Sequence, residues 1–363
     1  MDRSILKKFI IDDFEYMKNM SVREYLTYRK WEQLNSSNWD TVRLYQLKNS
    51  LWYPEHPDDY LKIQPDIVFA DNKADVNTWS TLRNFIHAQI NNQNIGRTLR
   101  AFAIDRNSGK YLGVMSLNSD FSVLKPRDNY IGWSNDHRLK FKRLNYLAMG
   151  TTICPTQPLG FNYTGGKLMA LLTCSDKYIN RWNQKYKEQL VGVTTTSLFG
   201  RPSQYTRLKH WRDCKETSGR IPLEPSDKVY QEIKEWVKTY YMDKYIEITT
   251  VKTGKNNITP RPKTNIISFT LRQLGVKPPD NNSPRGVYFC PLFKDTSEFL
   301  RMEKDSVTEP LFDNSLESLF EMWKTRYAKN RIKNTKDNIT SPLFYDDMIG
   351  VPWLEIKKKY IDK

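Results

Sequence analysis

Residues 194–207 read Thr194-Thr195-Thr196-Ser197-Leu198-Phe199-Gly200-Arg201-Pro202-Ser203-Gln204-Tyr205-Thr206-Arg207. Hydroxyls crowd what should be the carboxyl end of a strand, the place where ligands bind in open α/β sheets. A tyrosine there can donate a proton and a serine can bond a substrate, so Tyr205 and Ser203 are candidates for chemistry. Arg201, Arg207, Lys209 and Arg212 fall in or just after this run, interleaved with Tyr205, His210 and Trp211. Cations of this kind neutralise phosphates, and aromatic rings stack on exposed bases. The plainer alternative is a Thr-rich strand of the sort any sheet favours.

A second candidate is the loop Pro158–Lys167, which carries Gly160, Asn162, Gly165, Gly166 and Lys167. A short β-branched strand, Gly150–Cys154, precedes it and a helix follows. Free backbone N–H groups at a helix N-terminus suit a phosphate or pyrophosphate, and Lys167 adds charge. Glycine permits close approach because it has no Cβ. An ordinary strand-to-helix turn would look the same. The loop matches neither the P-loop nor the dinucleotide fingerprint.

Third, Asp128 and His137 can form an acid–base pair if the fold joins them, although Arg127 and Asp128 can equally be a surface pair of little energetic weight. His210 and Cys214 stand four apart on an expected helix, but two ligands do not make a metal site, and no metal is expected. No Gly-x-Ser-x-Gly elbow occurs.

These candidates share one charged region. The chain has 363 residues and a formal net charge of +16. Residues 121–220 hold 17 Lys+Arg against 6 Asp+Glu, a net of +11, while the remainder holds 40 against 35, a net of +5. Concentrated positive charge points to a polyanion, of which nucleic acid is the commonest; the bland reading is a solvated face.

The elements that must position these residues can be read from periodicity. The first hundred residues look mostly helical, with Met17, Val22, Tyr25 and Leu26 in one set. Trp79, Leu82, Phe85, Ile86 and Ile90 form another, capped by Asn77 or Thr78. Trp52–Pro57 is an irregular loop. Ala101–Asp105 and Tyr111–Leu117 predict a hairpin through Ser108-Gly109. A single helix is expected from Leu168 to Tyr186, a strand over Leu190–Phe199 and a helix over Gln204–Lys215. Leu223–Met242 predicts a helix, 250–265 a linker, Gly286–Phe289 a strand and Ser315–Ala328 a helix. This alternation favours an α/β core. The division expected is a helical region over 1–95, a core over 96–245 and an extension over 246–363.

Aromatic content, at 10 Trp, 21 Tyr and 16 Phe, excludes a disordered chain. No apolar run reaches the roughly 18 residues of a membrane span, and Met1–Phe14 does not read as a secretory signal. Four widely spaced cysteines predict reduced thiols, so the expectation is a cytoplasmic protein with no membrane partner.

Tyr111-Leu112-Gly113-Val114, Arg127-Asp128 with Ile131-Gly132-Trp133, Asn145, the strand ending at Pro155, and Thr195–Gly200 with Ser203-Gln204-Tyr205 and Arg207 resemble the family that includes DruA of the Druantia anti-phage systems. The resemblance covers roughly residues 100–300. It implies a phage- or mobile-element protein with a GNAT-like mixed central sheet flanked by helices, a helical N-terminal region and a helical or irregular C-terminal extension. In GNAT proteins a loop cradles the coenzyme A pyrophosphate, and a tyrosine placed like Tyr205 protonates the departing thiolate. An acyl-CoA-type donor in the 160–167 loop is therefore one implication. The expected function is nucleic-acid binding, with DNA the favoured partner and small-group transfer a further step. The alternatives are a non-catalytic binding module and an acyltransferase acting on a protein or small molecule.

Overall fold

The computed structural model describes residues 1–35, 47–87, 96–156, 159, 164–198, 200–201, 203–250, 262–334 and 348–362. Gly160, Asn162 and most of the expected linker lie outside them.

Seven strands build the central sheet: β1 (Pro65–Phe69), β2 (Thr98–Asp105), β3 (Tyr111–Ser119), β4 (Leu147–Pro155), β5 (Gly192–Thr196), β6 (Arg212–Glu216) and β9 (Gly286–Pro291). Their order is β1-β2-β3-β4-β5-β9-β6. Every neighbouring pair is antiparallel except β4 with β5. That parallel ladder runs from Leu147 opposite Gly192 to Gly150 opposite Thr195. Beyond Gly150, β4 continues to Pro155 with β3 on one side, and β5 has left its other side. Two further short strands, β7 (Arg220–Pro222) and β8 (Asp280–Asn282), form a separate ribbon.

Alternation of side chains sends each strand to two cores. On β9, Tyr288 and Cys290 face one cluster, while Val287 and Phe289 face the other. The first cluster lies under α5 (Gly165–Leu172), α6 (Asp176–Tyr186) and α11 (Leu316–Trp323). The opposite face is covered by α3 (Lys73–Ile86) over the β2–β4 side. There α4 (Lys125–Ile131) and α10 (Thr296–Leu300) cover the β9–β6 side.

A helical body forms a further core. It joins α1 (Arg3–Lys18) and α2 (Val22–Asn35) to α7 (Asp227–Tyr240), α8 (Met242–Thr249), α9 (Pro262–Leu274) and α13 (Trp353–Tyr360). Leu6, Ile10, Leu26, Ile233, Trp236, Leu271 and Trp353 are buried together. Helix α12 (Lys329–Asn334) continues from a π-helical turn at Lys324–Ala328 that follows α11.

Three expectations need correction. The helix expected over 168–186 is two helices, because Ser175 caps a new one by accepting from the Tyr178 N–H. Helix α3 begins earlier than expected, with Asn72 rather than Asn77 or Thr78 as its cap. The helix expected over 204–215 does not form. Arg207, His210 and Lys215 take positive φ, at 58°, 73° and 77°, which no α-helix tolerates. The segment is a chain of turns leading into β6. The expected helical pairing of His210 with Cys214 goes with it, since Cys214 lies on the strand. Among the described residues no helix is long and apolar enough to cross a membrane.

Candidate nucleic-acid interface

The segment from Ser203 to Trp211 folds by local hydrogen bonds. Thr206 N–H donates to the Ser203 carbonyl at 3.0 Å, Leu208 to Tyr205 at 3.1 Å and Trp211 to Leu208 at 3.2 Å. The Ser203 hydroxyl accepts from the Tyr205 N–H at 3.2 Å. These linked turns place Tyr205, Leu208 and Trp211 inward and leave Arg207 and Lys209 exposed.

The inward side plugs the opening between β4 and β5. Gln204 donates its carboxamide N–H to the Ile153 carbonyl at 3.0 Å and to the Tyr205 hydroxyl oxygen at 2.9 Å. The Thr195 hydroxyl lies 3.4 Å from the Tyr205 oxygen and donates to the Gly150 carbonyl at 2.8 Å. Burial pushes the Tyr205 hydroxyl up to about 12, partly offset by its bonds to Thr195 and Gln204. Its ring packs between Trp211 and Tyr288, with centroids 5.3 Å and 5.0 Å away.

The structure brings the described end of the glycine loop onto this same turn. A Cβ on Gly166 would overlap the Gln204 carboxamide, and one on Gly165 would lie 2.6 Å from the Leu159 carbonyl. Lys167 Nζ donates to the Gln204 carbonyl at 2.9 Å and to the Thr206 carbonyl at 2.6 Å, and sits 5.3 Å from the Tyr327 ring. Burial lowers its pKa to about 8. Packing within the chain thus accounts for both glycines and for Lys167. Gly160 and Asn162 lie outside the described residues.

Asp128 and His137 do not meet. Asp128 is buried and accepts from the Leu124 N–H at 3.0 Å, Arg127 at 2.7 Å, Trp133 Nε1 at 2.9 Å and Arg138 at 2.8 Å. Arg127 also pairs with Asp120 at 2.8 Å, and Asp120 accepts from the Thr194 hydroxyl at 2.8 Å. The network ties α4 to the sheet. His137 instead accepts from the Ser134 N–H at 3.3 Å. Asp120 was not marked by the sequence, and nothing in the spacing of Arg127, Asp128 and Arg138 shows that these charges become buried.

The outward side of the turn is cationic. Arg207, Lys209 and Arg212 are exposed, and none carries an ion pair among the described residues. Arg201 differs, since it pairs with Asp213 on β6. The π-helical turn adds Arg326 and Tyr327, which sequence reasoning missed as site residues. The Tyr327 hydroxyl accepts from the Lys209 N–H at 2.9 Å and donates to the Arg207 carbonyl at 3.3 Å. His210 stacks on Phe312 with centroids 3.8 Å apart and planes 15° from parallel. Burial, with the charges of Lys209, Arg212 and Arg326, lowers its pKa to about 4. Exposed cations clustered in this way attract anions such as phosphates.

A family model described as Druantia protein DruA matches residues 22–302. A curated Druantia protein DruA from Escherichia coli (strain UMEA 4076-1) is 30% identical over 171 residues. That match covers 42% of this chain and 42% of the relative, so the chain spans less than half of that protein's length. No solved structure gives a significant match. The family model spans the whole sheet, the 203–212 turn and the buried Arg127 network, and the protein belongs to the DruA family.

Proposed function

We propose that this DruA-family protein binds nucleic acid, DNA foremost, through the ridge formed by Arg207, Lys209, Arg212 and Arg326, and that this contact serves anti-phage defence. The observation that carries the reading is the set of exposed cations without carboxylate partners around His210 and Tyr327. The +11 charge of residues 121–220 supports it. Arg201 is a weaker contributor because Asp213 already holds it.

The core reads best as GNAT-like, supported by its one parallel pair, β4–β5, within an otherwise antiparallel sheet. The opening beyond Gly150 and Thr195 holds Gln204 and Tyr205. Packing around Gly165, Gly166 and Lys167 favours a binding module over a transferase, and fold does not entail activity. In this reading Ser203 and Tyr205 shape the turn that presents the ridge, and Asp128 fixes α4.

The test compares the wild type with a variant carrying Arg207, Lys209, Arg212 and Arg326 all changed to Gln. The reading expects labelled DNA to be bound by the first and released by the second, with equal thermal stability. Undiminished binding by the variant would defeat it.

A further inference from the structure

Strand β6 is the last strand of the sheet, and between it and α4 lies a groove of about 610 Å³. Volumes of about 300–1,000 Å³ accommodate drug-sized ligands, so a nucleobase with its sugar fits. Leu124 and Cys214 are buried at its lining, and Val123 and Pro126 give it apolar walls. Tyr130 of α4 also lines it. Its ring is braced edge-on by Phe289 (centroids 5.9 Å, 63°), yet the residue remains 43% exposed.

Polar groups around that ring are of three kinds. Asn129 is exposed and offers both a donor and an acceptor. Lys125 and Lys215 are exposed, and neither carries an ion pair among the described residues. Asp213 and Glu216 also line the groove, and Arg201 neutralises Asp213. Arg212 of the ridge opens β6 and directly precedes Asp213, the first lining residue of that strand.

We propose that the α4–β6 groove receives an unstacked base of single-stranded nucleic acid, with Tyr130 as its stacking platform, Asn129 at its edge and Lys125 and Lys215 on the flanking phosphates. The inference rests on the nucleic-acid reading of the ridge and adds a preference that cations alone do not give. A base within a duplex has no free face, so only a splayed or single-stranded base can enter. The bulge at Cys214–Lys215, with Lys215 at φ 77°, twists the strand edge and disfavours an added β-strand as the occupant.

The experiment measures affinities of the full chain for a labelled oligo(dT) and for a duplex of equal length at fixed salt. Wild type, Tyr130→Ala, Tyr130→Phe and the four-residue ridge variant are compared. Tyr130→Ala should weaken the single strand about 5- to 150-fold, the loss expected of one stacked base, and leave the duplex unchanged. Tyr130→Phe should retain the single strand, because the ring remains, and a thermal melt checks that each variant is folded. If the ridge variant loses both ligands while Tyr130→Ala loses neither, the groove proposal is overturned and the ridge stands. Equal losses on both ligands from Tyr130→Ala would also overturn it. If wild type binds neither, the nucleic-acid reading itself fails.

Discussion

Gln204 donates to the Ile153 carbonyl at 3.0 Å, on the part of β4 that β5 has left. One side chain thereby supplies a partner the ladder no longer does, and an unpaired buried carbonyl would be costly. The same carboxamide fills the space a Cβ on Gly166 would take. Two stretches 37 residues apart, joined again by the Lys167 bond to the Gln204 carbonyl, are thus one packed unit.

Gly166→Ala should destabilise the protein by about 1–3 kcal/mol through overpacking. In a Gln204→Ala background the carboxamide overlap is gone and the Cβ of residue 204, at 3.0 Å, is the close contact left, so the cost should shrink. Urea unfolding of the four proteins in this cycle reads the coupling.

Lys167 has its pKa lowered to about 8 by burial, below its ordinary value of 10.5. Between those values the unfolded chain binds the extra proton, so stability should rise with pH across that window. Unfolding free energies of wild type minus Lys167→Met, followed from pH 7 to about pH 11, should increase; a flat difference would mean that the ammonium is well solvated.

Asp128→Ala should cost about 3–5 kcal/mol, because it leaves the buried Arg138 without its carboxylate and Arg127 with Asp120 alone. Exposed Arg212→Ala should stay within about 0.5 kcal/mol. Chemical denaturation separates the two; a small loss at Asp128 would contradict its role as the fastening of α4.

His210 should titrate near pH 4 in the folded protein, below its ordinary 6.5, from burial and the charges of Lys209, Arg212 and Arg326. Its contribution to stability is then fully present above about 6.5 and is lost as pH falls through 4. Arg326→Ala should move the imidazole NMR titration upward, and bound oligonucleotide should do the same by screening the cations.

Much of this was legible along the chain. The hairpin of β2 and β3, the strand at Gly150–Cys154, the helix N-capped by Ser315 and the basic character of 201–212 all follow from local signals. The turn at 203–211 did not, because its apolar spacing mimics a helix while Arg207 and His210 adopt φ values that non-glycine residues rarely take. At the glycine pair close approach does require glycine, and the approaching groups are Leu159 at Gly165 and Gln204 at Gly166, which no spacing rule reveals. Nor could spacing reveal Arg326 and Tyr327, which reach the ridge only because the π-helical turn packs on residues 207–209.

The central claim is that the ridge holds phosphates. The most direct measurement is duplex-DNA affinity against salt for wild type and for the single variants Arg207→Gln, Lys209→Gln, Arg212→Gln and Arg326→Gln. Each lost phosphate contact should lower the slope of log affinity on log salt by about 0.9. Wild-type binding indifferent to salt, or slopes unchanged in all four variants, would contradict the account.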